Sequence, residues 1–327
     1  METNNLFNKS IVITGASSGA GRAAALEFAG YGTKLILAAR NEQVLQEVAD
    51  ECTQLGAGVI TVVTDVTDPK AMINLANAAN DWAQKIDVWI NNAGVLAAGD
   101  FEVTPMEVHT QVIKTNLLGY MNGAHAVLPF FKKQGYGTLI NNISIGGFLP
   151  VPYGAGYTAS KFGLRGFSEA LKGELSVWPD IHVCDLFPAF LDTPGIQHAG
   201  NFTGKVLRPA PPVYDPQRLA KAMVTATKYP EGSTSIGSAS IVLRLGHALF
   251  PKLTTNITAA FMRYYLKNAD PIALTSGNLF NTVDYGMSAN GGWGIPGEPK
   301  VHRKYIAAGL LAGFAAGYLL ISRNKNS

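Results

Sequence analysis

Charge is scarce in this sequence: Asp, Glu, Lys and Arg make up 15% of 327 residues, and 26 basic against 23 acidic side chains leave a formal net charge of +3. So even a balance gives no electrostatic footprint for a phosphate backbone, which excludes a nucleic-acid partner. Cysteine is nearly absent. Cys52 and Cys184 stand far apart, with no Cys-x-x-Cys pair or Cys/His cluster, so neither a disulfide framework nor a metal site is expected and a reducing compartment fits. The first residues, 1–9, are polar and hold no apolar leader run, so no secretory signal is expected. No internal repeat is present.

Apolar residues, in contrast, reach 47%, more than an ordinary cytosolic domain carries. From residue 10 to about 190, short apolar runs alternate with helical patterns, the mark of repeated βαβ units. Strands are expected at 10–14, 34–38, 59–63, 88–91, 137–143 and 182–186, with a weaker one at 234–237. Helices are expected at 42–55, 69–83, 105–131, 155–177, 215–228 and 238–266. The fold class is therefore α/β: a doubly wound parallel sheet of six to seven strands flanked by helices, Rossmann-like, with a C-terminal helical extension. Four segments are expected: a catalytic domain over 1–237 with a Pro/Gly-rich lid loop at 194–216, a helical extension over 238–267, a Gly/Asn/Pro-rich tether over 268–304, and a candidate transmembrane helix over 305–321.

The first strand runs into Thr14-Gly15-Ala16-Ser17-Ser18-Gly19-Ala20-Gly21-Arg22. Here Gly15, Ser17, Ser18, Gly19, Ala20 and Gly21 form a turn whose amides can approach a pyrophosphate at a helix N-terminus. The spacing is G-x-x-x-G-x-G, which by itself also suits an ordinary glycine-rich turn. The second strand ends at Ala38-Ala39-Arg40, where an NAD enzyme carries a carboxylate for the ribose 2′-hydroxyl. No acid stands there. The Arg40 guanidinium, assisted by Arg22, can pair with a 2′-phosphate, so NADP(H) is expected ahead of NAD(H); a solvated arginine is the alternative.

Further stretches follow in order: Asn91-Asn92-Ala93-Gly94, Asn116, Ser144, and Tyr157-Thr158-Ala159-Ser160-Lys161, with Ser144 preceding Tyr157 by 13 residues. With TGASSGAG, these resemble the short-chain dehydrogenase/reductase family over about residues 8–237. The resemblance implies that Asp65 and Val66 flank an adenine, that Asn92, Ala93 and Gly94 line the cofactor cleft, and that Pro188 to Thr193 pack at the nicotinamide end. It further implies that Thr193 meets the carboxamide, that Lys161 contacts the nicotinamide ribose, and that Asn116 holds a water relaying protons to Lys161. Association of copies through long helices is implied as well. Two departures are visible: Ala189 replaces the usual glycine after the proline, and Ile143 stands where many relatives have a second serine.

Hydride transfer to a carbonyl develops charge on oxygen, which needs a proton donor and fixed hydrogen-bond donors. Tyr157 is the candidate acid/base. Lys161, four residues on, shares its helical face, and an ammonium there favours the phenolate; Ser144 can donate a second bond to the substrate oxygen. Helix asparagines also serve as packing or capping residues, which leaves two readings of Asn116. A catalytically silent NADP(H)-sensing protein, or a membrane scaffold on the same fold, is the alternative function. The presence of both Tyr157 and Lys161 favours the enzyme.

The substrate is expected to be a small carbonyl or alcohol, lipophilic because Leu96, Phe148, Leu149, Val151, Phe190 and Leu191 fall near the cleft and Ile196, Phe202, Val206 and Leu207 fall on the lid. The uncharged run 305–321 is flanked by Arg303, Lys304, Arg323 and Lys325 and spaces Gly309, Gly313 and Gly317 four apart. It reads as a membrane anchor that holds the catalytic domain in the cytoplasm and can pair with a second copy. At ~1.5 Å per residue it reaches only about 25 Å, so an amphipathic or internally buried helix is the alternative.

Overall fold

The computed structural model describes residues 6–293. The candidate transmembrane run and the end of the expected tether lie outside them. Seven parallel strands form the central sheet: β1 (Ser10–Thr14), β2 (Lys34–Ala39), β3 (Gly58–Val63), β4 (Val88–Asn91), then β6 (Gly137–Asn142), β7 (Ile181–Pro188) and β9 (Ser233–Ile236). Their spatial order is β3-β2-β1-β4-β6-β7-β9. The order reverses between β1 and β4, which opens a crevice at the carboxyl ends of those two strands, the place where ligands bind in such sheets. A separate pair, β5 (Ala97–Ala98) with β8 (Gly200–Asn201), joins the segment after β4 to the loop after β7.

Strand side chains alternate between two layers. Ile11, Ile13, Leu35 and Leu37 pack with Phe28 of α1 (Gly19–Ala29), Leu45 and Val48 of α2 (Glu42–Gln54), and Leu219 and Met223 of α7 (Gln217–Lys228). Val12, Ile36 and Ala38 face the other way, against Met72 and Leu75 of α3 (Pro69–Ala83), Val127 and Phe131 of α5 (Gly119–Gln134), and Leu171 of α6 (Ala155–Glu174). Local chemistry sets the helix starts. Asn41 accepts from the Val44 amide at 3.2 Å, and Asp68 accepts from the Lys70 amide at 2.8 Å with Pro69 in the first turn.

Two expected helices are divided. The 105–131 pattern becomes α4 (Met106–Ile113), a π turn over Lys114–Leu118, and α5; the Gly119 amide reaches back to the Lys114 carbonyl. The 238–266 pattern breaks into α8 (Ser238–Leu249) and α9 (Pro251–Asn268), because Pro251 cannot donate to a continuing helix and starts a new one instead.

The stretch expected to be a tether is bound to the domain throughout its described part. Ile272 donates to the Gly204 carbonyl at 3.0 Å, Thr275 exchanges backbone bonds with Asn201, and Leu279 is fully buried. Residues 276–293 then run as a strap across the crevice. The expected lid loop is held by the same region: Val206 donates to the Asp270 carbonyl at 2.9 Å, and Tyr265 Oη donates to the Val206 carbonyl at 2.7 Å. No helix among the described residues is long and apolar enough to cross a membrane, and no group of three or more potential metal-ligating side chains occurs among them.

Candidate active site

The glycine turn is built by close approach. A Cβ on Gly15, whose φ is +66°, would stand 2.7 Å from Ala93 Cα, and one on Gly21 would stand 2.0 Å from the Gly15 carbonyl oxygen. Neither position admits a side chain. Asn92 braces the turn from β4, its Nδ2 donating to the Thr14 carbonyl at 3.0 Å and to Gly15 at 3.3 Å, while the Asn92 and Ala93 amides donate to Thr14 Oγ1. Asn142 ties β6 to this arrangement through Asn92 Oδ1 at 3.0 Å. Gly94 lies against Asn116 Oδ1, where an added Cβ would be 3.3 Å away. Ser18 caps α1 in extended conformation, followed by Gly19 and Ala20 in its first turn.

The reactive group is assembled from β6 and α6. Ser144 follows β6 at φ +98°, a conformation costly for a residue with a Cβ, and its Oγ accepts from the Gly146 amide at 3.2 Å. Strain of this kind is tolerated where surrounding structure fixes it and is common at reaction centres. The Tyr157 ring packs over Gly146, where an added Cβ would meet the ring at 2.9 Å. Lys161 is buried, with Nζ donating to the Asn142 carbonyl at 3.2 Å and lying 5.1 Å from the Tyr120 ring centre and 5.9 Å from that of Tyr157.

Burial decides the protonation tendencies. It lowers the Lys161 pKa to about 7, since desolvation disfavours the charged amine and no carboxylate among the described residues compensates it. Burial also raises Tyr157, and the hydrogen bond with Ser144 opposes that rise. Tyr120, whose Oη donates to the Asn142 carbonyl at 2.9 Å, is raised for the same reason, with the neighbouring Tyr157 adding to it.

Asn116 is fully buried in the π turn. Its Oδ1 accepts from the Val95 amide and its Nδ2 donates to the Val95 carbonyl, both at 2.8 Å, with Ser160 Oγ at 3.2 Å. The side chain therefore clamps the segment after Gly94 to α6. Asp65 Oδ1 accepts from the Thr67 amide at 2.9 Å and hydroxyl at 2.8 Å, shaping the turn after β3, and Val66 is buried beside Gly119. Pro188 closes β7. Ala189, the departure from the family glycine, is buried against Tyr214 and Ala239 and donates to Ile236, so its methyl is accommodated without opening the loop. Thr193 stands over Gly19, where an added Cβ would be 3.3 Å away.

Of the expected substrate-facing residues, Phe202 packs in one cluster with Val95, Ala97, Leu279 and the Tyr157 ring. Phe148 turns instead to Phe187, ring centres 4.6 Å apart, and Leu191 packs on the core beneath α1. A cavity of about 270 Å³ lies at the amino ends of β7 and β9 beside Lys172 and Glu231, and one of about 210 Å³ lies between Phe101, Tyr153 and Arg263.

The donors expected to meet a phosphorylated dinucleotide are present, and the strap's carbonyls accept from them. Gly19 donates its amide to Ser288 at 2.9 Å. Arg40 donates to Asn278 at 2.5 Å and to Leu279 at 3.4 Å. Arg22 donates to Met287 at 2.8 Å while pairing with Glu51 at 2.5 Å. A main-chain oxygen thus sits against the first turn of α1 and against each guanidinium, and among the described residues no acid pairs with Arg40. Sequence reasoning missed this strap because its Gly- and Asn-rich composition has no periodicity. The available signal was Leu279 and Trp293 within an otherwise polar stretch.

Residues 9–202 match the family model described as short chain dehydrogenase. The chain is 32% identical over 275 residues to the uncharacterized oxidoreductase YxnA of Bacillus subtilis, covering 83% of this chain and 76% of that one. It is 30% identical over 237 residues to estradiol 17-beta-dehydrogenase 11 of Macaca fascicularis, covering 72% and 78%. Among solved structures, the alcohol dehydrogenase of the archaeon Thermococcus sibiricus, complexed with 5-hydroxy-NADP, aligns with TM-score 0.62 at 28% identity, covering 71% of this chain and 97% of that one. A short-chain type dehydrogenase/reductase of Mycobacterium marinum gives TM-score 0.65 at 26% identity, covering 73% and 98%. Sheet order, glycine turn and the matched span agree, and this chain belongs to the short chain dehydrogenase family of NAD(P)-binding oxidoreductases.

Proposed function

We propose that the chain interconverts a hydroxyl and a carbonyl on a hydrophobic small molecule, using NADP(H) in preference to NAD(H), with Tyr157 as acid/base. The observation that carries the reading is Lys161, buried with no carboxylate partner among the described residues, on one helical face with Tyr157, which hydrogen-bonds Ser144 just after β6. When bound, the nicotinamide supplies or accepts the hydride. In reduction the Tyr157 hydroxyl donates its proton to the developing alkoxide, and Ser144 Oγ donates a second bond to the same oxygen. Lys161, when protonated, stabilises the phenolate that remains. Asn116 positions this group by holding Val95 and Ser160 together. Gly15, Ser17, Ser18, Gly19, Ala20 and Gly21 would hold the pyrophosphate, Asp65 and Val66 the adenine, Asn92, Ala93 and Gly94 the ribose side, and Pro188 and Thr193 the nicotinamide end.

Arg40, with no acid at the end of β2, supports the phosphorylated cofactor. The Arg40→Asp variant is expected to bind NADP(H) at least tenfold more weakly and to shift the kcat/KM ratio toward NAD(H); an unchanged ratio contradicts the assignment. The apolar cluster around Tyr157, together with a relative named for estradiol, supports a lipophilic substrate. A lipid surface is the second partner in this reading. Leu245, Leu249, Phe261 and Tyr264 are exposed along α8 and α9, and that hairpin carries Arg244, Lys252, Arg263 and Lys267 without one acidic residue. Flotation of the full chain with anionic vesicles is expected; recovery free of vesicles contradicts it.

A further inference from the structure

We infer that residues 276–293 are an intramolecular competitor of the dinucleotide, a strap that must leave the crevice before NADP(H) can enter. The inference rests on the NADP(H) reading above and concerns the regulation of the same site. Three observations carry it. First, the strap's main-chain oxygens occupy acceptor positions against the donors a dinucleotide phosphate would use: Ser288 on the Gly19 amide, Asn278 on Arg40 and Met287 on Arg22. Second, Leu279 is fully buried in the apolar cluster against which Tyr157 also packs, and Ala289 packs against the core cluster that includes the α1 side chains. The strap therefore spans from Arg40 to the glycine turn. Third, it is latched at both ends. Asn278 donates to the His198 carbonyl at 2.9 Å, and His198 Nε2 lies 2.8 Å from the Tyr285 carbonyl. Gly291 donates to the Asp192 carbonyl at 3.1 Å, and Trp293 donates its amide to Asp192 Oδ1 at 2.7 Å and its indole N–H to the Thr193 carbonyl at 3.2 Å. The strap also lies past residue 202, where the match to the family model stops, so it is an addition to the family's matched core.

The Gly19 amide has one N–H, already given to Ser288, so strap and cofactor exclude each other at the glycine turn and the apparent affinity for NADP(H) is scaled by the open fraction. Trp293 bonds to Thr193, the residue expected at the nicotinamide end.

Strap glycines provide the test without substituting any residue assigned to the dinucleotide. A Cβ at Gly291 would stand 2.4 Å from the Thr193 carbonyl oxygen, and one at Gly277, φ +54°, would stand 2.1 Å from the His198 oxygen. Gly291→Val and Gly277→Val in the full chain are expected to bind NADP+ at least tenfold more tightly by calorimetry than the unsubstituted chain. In parallel, hydrogen exchange of the unsubstituted chain needs no variant: saturating NADP+ is expected to remove protection at the amides of Asn278, Gly291 and Trp293. Equal or weaker binding by folded variants, or protection of those amides kept or raised by NADP+, overturns the strap while leaving the oxidoreductase reading in place. Failure of every form to bind NADP+ overturns the cofactor reading itself, and the competition with it.

Discussion

Lys161 has no acid to neutralise it, and its burial has a measurable consequence. In the unfolded chain a lysine keeps its proton up to about 10.5, whereas the folded group gives it up at about 7. Between these values the unfolded state binds more protons, so stability rises with pH across that window and the contribution is lost below it. Urea unfolding at several pH values is expected to show this rise for the unsubstituted chain and a flatter one for Lys161→Met. Parallel slopes would mean that the lysine is solvated in the folded state. That Tyr157 and Lys161 share one face of α6 was legible from their four-residue spacing, whereas Ser144 was legible only through the family resemblance. Asn116 was legible as a member of the group, but its clamp on both main-chain groups of Val95 was not, because the two residues are 21 apart in sequence.

At the scale of elements, every expected strand is present, since buried parallel strands write themselves as continuous apolar runs such as LILAA in β2. The helices were legible except where the backbone departs from regularity: the π turn before α5 leaves the side-chain period nearly intact, and Pro251 divides a continuous pattern. A polar seam inside the core was not legible. Asp185 on β7 is buried, accepting from Lys172 Nζ and Ser168 Oγ of α6 at 2.5 Å each, with Asn141 of β6 at 3.4 Å. Its residues come from three elements far apart in sequence, so no local pattern announces them. The Asp185→Ala variant strands the Lys172 charge between α6 and the sheet edge and is expected to cost about 3–5 kcal/mol in denaturant unfolding. A loss under about 1 kcal/mol would show that Lys172 escapes to water.

For the whole molecule, the sheet reversal between β1 and β4 sets one crevice, and four separate segments of chain deliver the glycine turn, Arg40, Ser144 and the Tyr157–Lys161 pair to its rim. The family architecture was readable because each motif follows a strand end. The strap was not, because composition signals a linker but does not say where a linker lies. The central claim is that the Tyr157 phenol transfers the proton during carbonyl reduction, and the most direct measurement compares the unsubstituted chain with Tyr157→Phe for NADPH-dependent reduction of a hydrophobic ketone, with NADP+ affinity measured on both. The account predicts closely similar affinity and a turnover about 10²–10⁴-fold lower in the variant. Turnover that survives the loss of the phenol hydroxyl would contradict it.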